Sequence, residues 1–214
     1  MINNNMNVER FNLIENEIQQ IKKIYEVAQL VHEETPFDAA HDWNHHLAVG
    51  TNGLEIIDRE KIQDKIDLPV FIAAAFFHDL ERGSTGHDLA VSKMKEAGFD
   101  DEFVAKMVDL INEHSFGDTQ KTLGGTVLWA ADKIEYVSSD RFRHSLANLS
   151  LVKRIAYKKL WRDRIKSVVE KFPKIGLPSA NQMFIEKFKG LKAYIEKEKP
   201  EYKSWYQGLD LGVI

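Results

Sequence analysis

The chain has 214 residues, 43% of them apolar and 29% charged, with a net charge of −4 and no cysteine. That balance is ordinary for a globular protein, and it excludes a disulfide framework, a thiolate metal site and a cysteine nucleophile. No segment approaches the roughly 20 apolar residues that cross a bilayer, and the first residues lack the basic and apolar regions of a secretion signal, so the reading is cytoplasmic with no membrane partner.

Five prolines, twelve glycines and few alternating apolar patterns predict an all-α fold. Residues 8–34 read as one amphipathic helix, with Phe11, Ile14, Ile18, Ile21, Tyr25, Ala28 and Val31 recurring every three to four positions. It stops ahead of Pro36, because a residue preceding proline is pushed out of helical geometry. After a loop to Trp43, Asp42 or Asn44 can cap the next helix, which carries His45 in its first turn and runs to about Ile57. Asp67, two residues before Pro69, opens the most apolar helix, which ends near Leu80.

Beyond the turn at 81–86, helices are expected from His87 to Ala97, from Asp100 or Asp101 to near His114, and from about Thr122 to Val137. Two charged helices, 140–172 and 179–199, complete the chain, and no repeat or long linker divides it. Charge is uneven along this order. Residues 1–140 hold 12 Lys/Arg against 26 Asp/Glu, whereas residues 141–174 hold 11 against 2. The basic stretch can meet a phosphate-bearing substrate or simply neutralise the acidic body, and the sequence leaves both open.

The chemistry concentrates at His78-Asp79, which closes the apolar run 70–77. An ionisable pair at the end of a buried helix needs partners, and a metal ion is the most economical one. His45 lies upstream in His41-Asp-Trp-Asn-His-His-Leu-Ala-Val49, and Asp132 downstream in Trp129-Ala-Ala-Asp-Lys-Ile-Glu135. A single His-Asp dipeptide is weak evidence; the order and local contexts together are the signal.

That H…HD…D order resembles the HD superfamily of metal-dependent phosphohydrolases, and His41-Asp-Trp-Asn-His45 is similar to the opening of its small bacterial members. The resemblance covers residues 41 to about 137 and implies a single HD-type helical domain over 1–214, with a metal-binding core there and a C-terminal extension over about 140–214. It implies His45, His78, Asp79 and Asp132 as ligands of a divalent metal. Two imidazoles and two carboxylates suit Mn, Fe, Co, Ni or Zn better than Mg. His87 and His114 fall where binuclear members resemble second-metal sites; they would bind a second metal or a phosphate, or else be ordinary helix-end histidines.

The implied activity is hydrolysis of a phosphate ester or anhydride in a nucleotide-like small molecule by a metal-activated water. Asp79 would combine ligation with proton handling, while Arg82, Lys133 and His114 balance the developing charge. Some family members place an acid four residues after the histidine of the pair. Here Arg82 takes that position and the acid is Glu81, so Arg82 is read as a phosphate clamp.

Two alternatives follow from the same resemblance, a di-iron oxygenase and a catalytically inert nucleotide-binding protein. A net acidic chain weighs against nucleic acid. Among the other histidines, His41 is expected to hydrogen-bond within its loop. His46 faces roughly 100° around the helix from His45, toward the second layer or the surface. His32 and His144 are expected as plain surface residues. Trp161, Tyr157 and Trp129 are expected in the core rather than stacked on a base.

Overall fold

The structure, a computed structural model, describes residues 8–35, 41–80, 87–114, 119–147 and 151–209, the side chains of 151 and 152 apart. These residues form nine α-helices and no strand: α1 (Glu15–Glu34), α2 (Trp43–Glu60), α3 (Leu68–Phe77), α4 (Asp88–Glu96), α5 (Asp101–Asn112), α6 (Leu123–Glu135), α7 (Ser139–Ala147), α8 (Leu151–Lys171) and α9 (Pro178–Glu198). The fold is all-α. No described helix is long and apolar enough to cross a membrane.

The chain divides into two compact units, Met1–Asp132 and Lys133–Ile214, with the division falling inside α6. Charge follows it: the first unit carries 11 Lys/Arg against 24 Asp/Glu, the second 18 against 9.

In the first unit α3 is the centre. Its ten residues, apolar on every side, are all buried, and α1, α2 and α5 pack against it. Asp67 starts it by accepting the Val70 N–H at 3.3 Å, with Pro69 in the first turn, where no backbone donor is needed. α2 approaches α3 closely enough that a Cβ on Gly53 would lie 2.6 Å from Phe71 Cε1, so only glycine fits there. The buried Asn52 amide on α2 donates to the Ala131 carbonyl on α6 at 3.3 Å.

Several helix boundaries differ from the sequence reading, such as that of α2, which runs to Glu60 rather than about Ile57. α1 begins at Glu15, not near residue 8, because the Glu17 carboxylate takes the Ile14 N–H at 2.9 Å and fixes the first turn there. Ile14 is consequently 66% exposed, while Val8–Arg10 form a separate 3-10 turn whose Arg10 reaches Glu55 at 2.8 Å and Asp58 at 3.3 Å on α2. α3 ends at Phe77, three residues early, and His78 caps it. The basic stretch expected as one helix over 140–172 holds α7 and α8, and residues 148–150 between them lie outside the described residues.

The second unit is built around Trp161, which is fully buried with Phe142, Trp205 and Phe188 at ring-centroid distances of 5.8, 6.2 and 6.4 Å. Trp161 is therefore core. Three cations along one stripe of α8 tie down the chain after α9. Arg154 donates to the Tyr202 hydroxyl at 3.2 Å, Lys158 to Ser204 Oγ at 2.9 Å, and Arg162 to the carbonyls of Ser204, Trp205 and Gln207 at 2.9, 3.1 and 2.9 Å.

Candidate metal centre

Each of three segments brings its polar groups to one place for a local reason. Asp42 caps α2 by accepting the His45 N–H at 3.1 Å, which sets His45 in the first turn. His78 and Asp79 follow the buried α3, where the helix unwinds into a turn.

Asp132 depends on where α6 starts, and Glu113 sets that start. Its buried carboxylate accepts the N–H groups of Lys121 and Thr122 at 2.8 and 3.0 Å and the Thr122 hydroxyl at 3.2 Å. Thr122 Oγ1 in turn accepts the Gly125 N–H at 2.9 Å. Gly125 leaves room for this carboxylate, since a Cβ there would lie 2.7 Å from Glu113 Cδ.

The result is one cluster. A ligand atom from each of His45, His78, Asp79 and Asp132 lies within 4.8 Å of the others. His45 Nε2 is 3.2 Å from His78 Nε2, 3.7 Å from Asp79 Oδ2 and 3.6 Å from Asp132 Oδ1. His78 Nε2 stands 3.6 Å from Asp79 Oδ2 and 4.0 Å from Asp132 Oδ1. His45, His78 and Asp132 are buried, and Asp79 is the most accessible of the four.

The histidine chemistry fits a cation. His78 Nδ1 sits 2.9 Å from the Ala75 carbonyl, the arrangement that keeps its proton on Nδ1 and presents Nε2 as a bare lone pair to the cluster. Burial drives its pKa down to about 4, so the ring is neutral at neutral pH. Burial alone would raise the Asp79 carboxyl; His78, His114 and His45 override that and hold it well below the usual carboxylate range. Neutral imidazoles and ionised carboxylates are the protonation states that ligation requires. The buried His45, His78, Asp79 and Asp132 cluster could hold a metal ion.

His114 lies beside the cluster, with Nε2 3.5 Å from Asp79 Oδ1 and Nδ1 against the Ile111 carbonyl. Burial opposes its protonation, but Asp79 and Asp132 outweigh burial and raise its pKa. His87 is buried too, in left-handed backbone at φ 50°, with Nε2 3.1 Å from Asn112 Oδ1; it is not one of the four clustered residues. Lys133 is buried and is the first residue of the second unit. Arg82 and Glu81 lie outside the described residues.

Three other histidines stand near these residues, His41 and His46 beside the cluster and His32 against His46. His41 is buried with Nε2 3.7 Å from Asp79 Oδ2, so it faces the cluster. His46 is fully buried, its ring 5.3 Å from His45 and 4.9 Å from His78, which rules out the surface. His32, expected on the surface, is half-buried: its ring lies 4.5 Å from His46 and 5.2 Å from Trp43, and its Nδ1 is 2.7 Å from the Ala28 carbonyl. The available signal for His41 was its place immediately before the Asp42 cap, four residues from His45.

No protein-family model matches this chain, and neither a curated protein nor a solved structure matches it.

Proposed function

We propose that this chain is an HD-type metal-dependent phosphohydrolase that cleaves a phosphate ester or anhydride of a nucleotide-like small molecule. One observation carries the reading: His45, His78, Asp79 and Asp132, brought from three separate segments, offer four ligand atoms within 4.8 Å of one another. The donor set of two imidazoles and two carboxylates favours Mn, Fe, Co, Ni or Zn over Mg. When bound, such an ion supplies Lewis acidity, lowering the pKa of water and polarising a phosphoryl oxygen.

The chain's own groups do the rest. The Ala75 carbonyl orients His78, and Asp42 orients the helix turn that carries His45. Asp79 presents Oδ2 to the two ligand histidines and Oδ1 to His114, so one carboxylate serves ligation and also anchors a neighbouring imidazole. His114, held by Asp79 and the Ile111 carbonyl, sets an imidazolium charge beside developing negative charge on phosphate or leaving-group oxygen. Arg82 and Lys133 remain in the proposal as phosphate-facing cations.

The test uses the full chain loaded with Mn²⁺, Co²⁺, Ni²⁺ or Mg²⁺ against a panel of phosphomonoesters, phosphodiesters and nucleoside triphosphates. Metal-dependent release of phosphate or pyrophosphate, lost in Asp79→Asn and Asp132→Asn, is expected. Turnover that survives unchanged in those variants overturns the mechanism. Two irons per chain with substrate-dependent oxygen uptake would move the protein to the oxygenase class. Nucleotide binding without turnover across all four metals would make it an inert binder.

A further inference from the structure

One buried imidazole faces the metal centre without belonging to its donor set. His41 Nε2 lies 3.7 Å from Asp79 Oδ2, and the His41 ring meets the His45 ring edge-on at 5.6 Å. Yet among the described residues the ligand atoms within 4.8 Å of one another come from His45, His78, Asp79 and Asp132, and none comes from His41. His41 is therefore in reach of one carboxylate but too far from at least one other donor to share the same ion.

Its placement is fixed locally. His41 immediately precedes Asp42, whose extended backbone starts α2 and whose carboxylate takes the His45 N–H at 3.1 Å. The cap thus sets the two histidines as one unit, and both bring Nε2 to 3.7 Å from Asp79 Oδ2.

Asp79 is the ligand in most need of an outer hold. It is the most accessible of the four, and it stands in the turn after α3 rather than inside a helix. Three imidazole nitrogens surround its Oδ2, those of His41 and His45 at 3.7 Å and of His78 at 3.6 Å. In the ligand role His45 and His78 turn lone pairs toward a cation and have no Nε2 proton to offer the carboxylate. His41 is the one of the three whose Nε2–H can face Oδ2, as that of His114 faces Oδ1 at 3.5 Å. A neutral ring protonated on Nε2 presents that hydrogen as well as a charged ring does, so no change of protonation enters. At 3.7 Å the contact is electrostatic, longer than a formed hydrogen bond. Outer partners of ligating side chains are worth about 10–100-fold in metal affinity.

We infer that His41 is a positioning residue for Asp79, holding that carboxylate toward a cation bound by the four-residue cluster. The inference rests on the metal-binding reading of the cluster and adds a residue from outside its donor set.

Absorbance titration of the full chain with Co²⁺, against a competing chelator, tests it. Wild type is expected to bind saturably, and Asp132→Asn roughly tenfold more weakly or worse. His41→Phe keeps a ring in the buried space but has no N–H, and should lower the affinity about tenfold. His41→Gln carries an amide nitrogen at about the reach of Nε2 and should stay within about threefold of wild type. A merely structural His41 would give the reverse order, with the ring-retaining Phe better tolerated than Gln. The d–d bands of bound Co²⁺ should be the same in wild type and His41→Gln, because the ligand set is unchanged.

Wild-type affinity in His41→Phe overturns the inference, and so does a loss in His41→Gln equal to that in His41→Phe. Altered bands in His41→Gln would make His41 a ligand, which equally overturns it. Absence of saturable Co²⁺ binding by wild type, or undiminished binding by Asp132→Asn, is a different failure: it removes the metal-binding reading and this inference with it. Should His41→Phe fail to fold by circular dichroism, His41→Asn replaces it; its shorter amide stops short of Oδ2, and the same loss of about tenfold is expected.

Discussion

Asn52 donates its buried side-chain amide to the main-chain carbonyl of Ala131 at 3.3 Å, one residue before the ligand Asp132. This bond ties the helix that carries His45 to the helix that carries Asp132. Asn52→Leu removes it while filling similar space, and leaves a buried carbonyl with one partner fewer. A loss of about 1–3 kcal/mol in unfolding free energy is expected, and metal affinity about tenfold weaker. Urea denaturation with and without metal, together with a metal titration, reads both effects.

Gly125→Ala should disturb the same helix from its other end. The added methyl would lie 2.7 Å from Glu113 Cδ, and that carboxylate cannot retreat without giving up Lys121 and Thr122. Overpacking of this kind costs about 1–3 kcal/mol. Gly190→Ala, where a Cβ meets nothing within 4 Å, is the matched control and should be neutral or slightly stabilising. Thermal unfolding of the two variants side by side checks the difference.

The metal-free protein should lose stability as pH falls from about 6.5 toward 4. Burial holds the His78 pKa near 4 in the folded chain, whereas the unfolded chain takes up that proton near 6.5. Between those values the unfolded state binds more protons, so acidification favours it, and the full contribution is present only above 6.5. His78 alone supplies up to about 3 kcal/mol. Burial lowers His46 in the same sense, and the lowered Asp79 carboxyl adds a loss at still lower pH. His114 works in opposition, since its raised pKa favours the folded state at lower pH. His46→Phe should flatten the dependence of urea midpoint on pH across this window.

Chelation should lower the melting temperature of metal-loaded protein, because an ion that binds only the folded chain at a thousand times its Kd adds about 4 kcal/mol. Asp132→Asn should unfold at nearly the temperature of the metal-free wild type and gain little from added metal. A full metal-induced rise in that variant would show that the cluster is not where the ion sits.

The helical fold was legible because α3 is apolar on every side and because Asp42, Asp67 and Asp100 each stand where an N-cap belongs; all three do accept a backbone N–H. The start of α1 was not, since its first turn is set by Glu17 reaching back to an isoleucine, a residue with no side-chain capping preference. The four clustered residues were each identifiable from local context, but their approach is a tertiary property. It rests on Gly53 against Phe71, Asn52 on Ala131 and Glu113 beneath α6, pairs separated by up to 79 positions along the chain. The burial of His41 and His46 beside Asp79 and His78 is tertiary in the same way and leaves no periodic trace.

Asp132 closes the first unit and Lys133 opens the second, yet both belong to one uninterrupted α6. Any shortened form that stops at residue 132 would deprive the carbonyls of 129–132 of the downstream amides that an α-helix supplies four residues later. The last ligand would then hang from a fraying stub. Expression of the acidic half by itself must therefore carry the chain past Glu135, and the shortest version able to retain a cation is longer than its compact boundary suggests.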